Sequence, residues 1–181
     1  MNSEVIVGDC RETLAQMAPA SVPCVITSFP YWTLRAYKDV PPLTWSNEWV
    51  GCWGSEPLFS MWVENCLEVC ASVKRVLRDD GTFWLNIGQC WASKAKSKDP
   101  AFKEGDLVQQ GPLLAEELRK DGWWLRTDVT WEKRNPKTES VRTRPSQVHE
   151  HLFLLTKRRS GEYFYDDAAV RQPYAQATLP Q

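Results

Sequence analysis

Val22-Pro23-Cys24-Val25-Ile26-Thr27-Ser28-Phe29-Pro30-Tyr31-Trp32 begins as an apolar run and ends in a stiff aromatic turn. The run Val22 to Ile26 predicts a short buried strand. Pro30 stops the ladder, because proline has no N–H to donate. A small hydroxyl, a carbonyl held rigid beside proline and two aromatic faces are thereby left at a strand's carboxyl end. In open α/β sheets that is where ligands bind. A plain strand end with a proline turn would read the same way from these residues alone.

The flanking sequence supplies a helix–strand rhythm. Glu4 to Val7 predicts a first strand, ended by Gly8-Asp9-Cys10 and followed by a helix that carries Leu14 and Met17 and stops at Pro19. Asp9 suits either the N-cap of that helix or a ligand-facing carboxylate. Residues 33–57, rich in Pro, Gly and Trp, predict a long loop or lid. Leu58 to Arg78 carries Met61, Val63, Cys66, Leu67, Cys70, Val73, Val76 and Leu77 at threes and fours, the pattern of an amphipathic helix. Asp79-Asp80-Gly81 predicts a turn and Thr82 to Gly88 a strand, one winding of a βαβ unit. Residues 92–106 predict a second loop. A helix from Leu107 to Lys120 and a strand from Trp123 to Trp131 follow. After an Arg- and Pro-rich loop at 132–147 comes a strand from Val148 to Lys157. Two strands around a long loop predict an antiparallel hairpin at the sheet edge.

The bulk properties fit one domain of 181 residues, with 43% apolar and 25% charged residues. The net charge of −1 hides an asymmetry. Residues 1–70 hold eight acids against three bases, whereas residues 131–159 hold eight bases against three acids. A basic stretch of this kind is either a phosphate footprint or a solvated face. Six cysteines without a Cys-x-x-Cys pair and only two histidines offer no zinc arrangement, so no metal is expected. Cys66 and Cys70 read as core thiols, and the usage suits a reducing, cytoplasmic setting. No signal peptide or membrane-length apolar run is visible, so no membrane association is expected.

The turn Ser28-Phe29-Pro30-Tyr31 resembles the Ser-Pro-Pro-Tyr/Trp motif of DNA methyltransferases that modify the exocyclic amino group of cytosine or adenine. Phe29 departs from it, standing where the first proline is usual. The resemblance continues in order through Gly8-Asp9-Cys10, Asp80 to Gly88, Trp131-x-Lys133-x-Asn135-Pro136, His149-Glu150 and Tyr163 to Pro173. It is similar to permuted enzymes whose catalytic half precedes the cofactor half, including bacterial and phage enzymes assigned to cytosine N4. The resemblance implies a Rossmann-like fold with a mostly parallel sheet and S-adenosyl-L-methionine as methyl donor. It also implies double-stranded DNA as partner, in the cytoplasm of a bacterium or a phage-infected host. Ser28, Phe29, Pro30 and Tyr31 would be catalytic, and Asp9 and Cys10 would meet the cofactor. Trp131, Lys133, Asn135, Arg142 and Arg144 would meet DNA. Serine rather than aspartate at position 28 favours cytosine N4 over adenine N6.

The family's Phe-x-Gly-x-Gly cofactor loop has no counterpart, because no two of the nine glycines are spaced Gly-x-Gly. The expectation is therefore an incomplete sheet and a catalytic half with little activity alone, the donor half falling to a second polypeptide if the enzyme is split. A nucleic-acid-binding remnant without catalysis, or a methyltransferase for RNA or a small molecule, would share the features. Pro23-Cys24 matches the nucleophile pair of enzymes that methylate cytosine carbon five, but a buried strand cysteine is the simpler expectation.

Overall fold

The computed structural model describes residues 3–34, 40–93, 95, 97, 99–136, 138 and 140–172. Expectations on Pro173 and on parts of the 33–57, 92–106 and 132–147 loops fall outside the described residues. The elements are α1 (Cys10–Gln16), β1 (Val22–Ser28), β2 (Leu43–Thr44), β3 (Val50–Gly51), α2 (Phe59–Val76), β4 (Leu77–Ile87), α3 (Gln110–Lys120), β5 (Trp124–Glu132), β6 (His149–Thr156) and α4 (Asp167–Val170).

The main sheet has the order β1-β4-β6-β5. β1 runs parallel to β4, while β6 is antiparallel to both β4 and β5. Three of the four strands thus point one way, and β6 is inserted against them by the hairpin. This is an α/β, Rossmann-like fold with an antiparallel hairpin at one edge.

One face of the sheet carries the core. Phe83, Leu85 and Ile87 of β4 and Phe153 and Leu155 of β6 pack against Val69, Val73, Leu114 and Leu118 of the helices. The helix α2 buries Cys66 and Cys70 completely, as the threes-and-fours spacing requires. Pro112 sits in the first turn of α3, where its missing N–H breaks no helical bond.

Several expectations are corrected. Val5, Ile6 and Val7 do not form a strand; they are exposed and pair with nothing among the described residues. An apolar run forms a strand only when a neighbour takes its ladder. β1 is the outermost strand rather than a central, buried one, and its residues are half-buried or exposed. Ile26 is 75% exposed. For the same reason Cys24 is exposed rather than a core thiol. Asp79-Asp80-Gly81 does not end an element. Leu77 leaves α2 directly into β4 and pairs with Val22, and the next pair is Cys24 with Thr82. Residues 78–81 are the extra length of a bulge within the strand. Gly81 permits it, since a Cβ there would stand 2.8 Å from the Pro23 carbonyl oxygen.

Candidate active site

The turn after β1 is held from below by buried polar groups. Trp62 Nε1 donates to the Pro30 carbonyl at 2.9 Å, and Trp32 Nε1 donates to the Glu56 carbonyl at 2.9 Å. Trp32 N donates to Gln110 Oε1, whose amide donates in turn to the Gly88 carbonyl. The Glu56 side chain is fully buried and accepts from Gly54 N and from the Asn65 amide, both at 2.9 Å. Gly54 O then receives Thr33 N at 2.7 Å. A turn tied at this many points presents its groups in one geometry.

Phe29 occupies its unusual position as a core residue. It is 4% exposed and lies against Trp53 and Phe83, with centroids 4.7 and 6.4 Å away. A pocket lined by these rings holds a phenyl ring where the family motif has a pyrrolidine. Since the Pro30 carbonyl is engaged by Trp62, the Phe29 carbonyl is the one left for the role that the motif implies.

Register brings further groups beside Ser28. Ser28 pairs with Asn86, and Asn86 with Leu152, so all three share one sheet face. Glu150, two residues before Leu152, falls on that face too. The Tyr31 hydroxyl donates to Asn86 Oδ1 at 3.3 Å. The Tyr31 ring and the Glu150 carboxylate both crowd Gly88, where a Cβ would stand 2.7 Å from Tyr31 Cε2 and 2.9 Å from Glu150 Oε1. Burial pushes the Tyr31 phenol above its usual range, with Ser28 and the Gly88 N–H opposing and Glu150 reinforcing the shift. A cleft of about 470 Å³ opens here, lined by Tyr31, Trp91, Lys133, Arg144, His149 and Glu150 among others.

The predicted DNA-facing residues divide. Lys133 and Arg144 line the cleft, Lys133 in an ion pair with Glu150 and Arg144 with its guanidinium 4.0 Å from the Trp91 ring centroid. Trp131, Asn135 and Arg142 are exposed and do not line it. Trp91, Gln147 and Glu150 also line the cleft and were not among the predicted residues. Glu150 stood in a quoted motif without a role, and only strand register shows that it shares a sheet face with Ser28, two strands away.

Asp9 is the N-cap of α1, accepting from Arg11 N at 2.9 Å, and its carboxylate also takes the Arg11 guanidinium at 2.7 Å. That guanidinium holds the Asp9 carboxyl below its usual range. Burial pushes the Cys10 thiol up, which keeps it neutral. Arg11 also reaches Glu68 at 2.8 Å and covers the Trp45 ring. Asp9 and Cys10 therefore do not by themselves form a cradle for a methyl donor. No cluster of three or more His, Cys, Asp or Glu suited to a metal occurs among the described residues. None of their helices is long and apolar enough to cross a membrane.

Comparison with known proteins identifies the family to which this fold and site belong. The family model described as DNA methylase, N6_N4_Mtase, matches residues 22–179. The chain belongs to this family of amino-directed DNA methylases. It is 36% identical to type II methyltransferase M.SmaI of Serratia marcescens, over 94% of this chain and 60% of that protein. It is 39% identical to M.XycI of Xanthomonas campestris pv. cyanopsidis, over 94% and 59% respectively. The chain thus spans about 60% of the length of these relatives. Among solved structures, PvuII DNA methyltransferase (cytosine-N4-specific) superposes with a TM-score of 0.61 at 16% identity, covering 87% of this chain and 49% of that one. A putative DNA modification methylase of Thermus thermophilus, complexed with S-adenosyl-L-methionine, gives 0.58 at 22% identity, covering 96% and 59%.

Proposed function

We propose that this chain is the base-binding, catalytic portion of a DNA methyltransferase that transfers a methyl group from S-adenosyl-L-methionine to an exocyclic amino group, cytosine N4 in preference to adenine N6. The observation that carries the reading is the Ser28–Tyr31 turn, fixed from below, whose Tyr31 lines a cleft with the basic β5–β6 hairpin as its far wall.

An exocyclic amino nitrogen is a poor nucleophile because its lone pair is conjugated into the ring. Acceptors aimed at its protons favour a pyramidal nitrogen and act where charge develops. The Ser28 hydroxyl and the Phe29 carbonyl are those acceptors, and Tyr31 offers its ring to the base. The target base must first leave the duplex stack, at a cost of about a few kcal/mol. Stacking on an aromatic ring returns about 1–3 kcal/mol per base. The basic hairpin, with Arg144 at the cleft and Arg142 outside it, would hold the flanking phosphates. The donor would supply an activated methyl group. The uncovered edge of β1, with Ile26 exposed, is where a donor-holding half would add strands, as continuous chain or as a second polypeptide.

Labelled S-adenosyl-L-methionine and mixed-sequence duplex DNA test this. Little transfer is expected from the 181 residues alone, and transfer that depends on Ser28 once a donor-holding half is added. Transfer that survives Ser28→Ala would overturn the assignment.

A further inference from the structure

Cys90 lies in the hydrophobic core and Ala92 packs against it, so the alternation of extended backbone turns the residue between them the other way. That residue is Trp91, which lines the cleft. The backbone on either side of it is clamped. Val108 N donates to the Cys90 carbonyl at 3.0 Å, Ala92 N donates to the Asp106 carbonyl at 2.9 Å, and Trp91 itself bridges to Leu107. A large, half-buried indole is thus mounted on fixed backbone at the wall of a cleft. Rings of this kind supply contact area to a partner at little conformational cost.

The structure shows what the ring accepts. The Arg144 guanidinium, a flat cation, lies over it with the guanidinium carbon 4.0 Å from the ring centroid. The indole face is therefore open enough to take a planar group at stacking distance. A nucleobase is also planar and would compete for that face. Among the described residues lining the cleft, the other aromatic rings are Tyr31 and His149, and His149 is set against His151 with centroids 5.6 Å apart. Stacking of a base on an aromatic ring is the stronger of the two competing contacts. A displaced guanidinium has a second use, because a DNA phosphate offers it a charge-assisted bond.

We propose that Trp91 is a base-stacking residue of the cleft, that Arg144 holds its face in the absence of DNA, and that an entering base moves Arg144 onto a phosphate. The proposal rests on the reading of the cleft as a base site, and it adds a second ring to Tyr31. A base that stays paired cannot make this exchange. The contact therefore favours a duplex with a displaced base over a fully paired one.

The test measures the affinity of the 181-residue chain for a duplex carrying one unpaired cytosine and for the same duplex fully paired. The parent should favour the unpaired site. Trp91→Ala should lose on the order of tenfold on the unpaired duplex and leave the paired one unaffected. Trp91→Phe, which keeps a ring, should retain most of the preference. Arg144→Ala should weaken both duplexes yet widen the gap between them, because the ring is cleared for the base. That variant carries the test if Trp91→Ala does not fold. An unchanged preference in Trp91→Ala, an equal loss on both duplexes, or no widening in Arg144→Ala would overturn the proposal. Tyr31→Ala separates it from the reading on which it rests. A preference that falls in Tyr31→Ala but not in Trp91→Ala would strike Trp91 and leave the base site standing. A parent that does not favour the unpaired duplex would count against the base site itself, and Trp91 would fall with it.

Discussion

Phe29 shows how one residue can depart from a motif and still be required by its own fold. Restoring the family residue with Phe29→Pro would empty a space lined by Trp53 and Phe83. Loss of a buried phenyl ring costs about 3–5 kcal/mol, so denaturant unfolding should show the variant less stable by that order. Glu56 is a second such residue. Both its oxygens accept, from Gly54 N and the Asn65 amide, so Glu56→Gln sets a donor against one of them. An unsatisfied buried group costs about 1–3 kcal/mol, and the unfolding midpoint should fall accordingly. Arg11 adds a pH dependence. Asp9 titrates below its unfolded value, so its contribution to stability is present above the ordinary carboxylate range and is lost as pH falls through the depressed value. Arg11→Ala should flatten that acid limb of the stability curve. The Ser-x-Pro-Tyr turn was legible in the sequence because proline and serine act locally. The partners of Phe29 and the Asn65 partner of Glu56 were not, because each lies across a loop or on another element.

At the level of elements, amphipathic α2 and the β5–β6 hairpin follow from periodicity, while the bulge of β4 does not. Asp-Asp-Gly serves a turn or a bulge equally well, and only pairing with β1 distinguishes them. The exposure of β1 was hidden for a similar reason: an apolar run states what it wants to bury, not whether a partner is at hand. For the hairpin, charge reversal of Arg142 and Arg144 should weaken duplex binding and flatten its salt dependence. The Arg144 reversal should have the larger effect, since Arg144 stands over Trp91 in the cleft. Affinity unchanged in both would assign the basic stretch to solvation.

On the scale of the molecule, one sheet face is packed and the other remains partly open. By register Ile26 and Val129 lie opposite the core face, and both are exposed, as are Val5 to Val7, which pair with no strand among the described residues. An α/β sheet is ordinarily covered on both faces, and this chain spans about 60% of its relatives' length. Ile26→Lys should therefore change the stability of the chain by no more than about 0.5 kcal/mol, as an exposed position allows. The central claim is that a flipped base rests at the Ser28–Tyr31 turn, and photochemical crosslinking reaches it without a methyl donor. The chain would be irradiated with a duplex carrying one unpaired 5-iododeoxycytidine, and the adduct mapped by peptide mass spectrometry. The account predicts the adduct on Tyr31; adducts confined to the hairpin or to other surfaces, with Tyr31 unmodified, would contradict it.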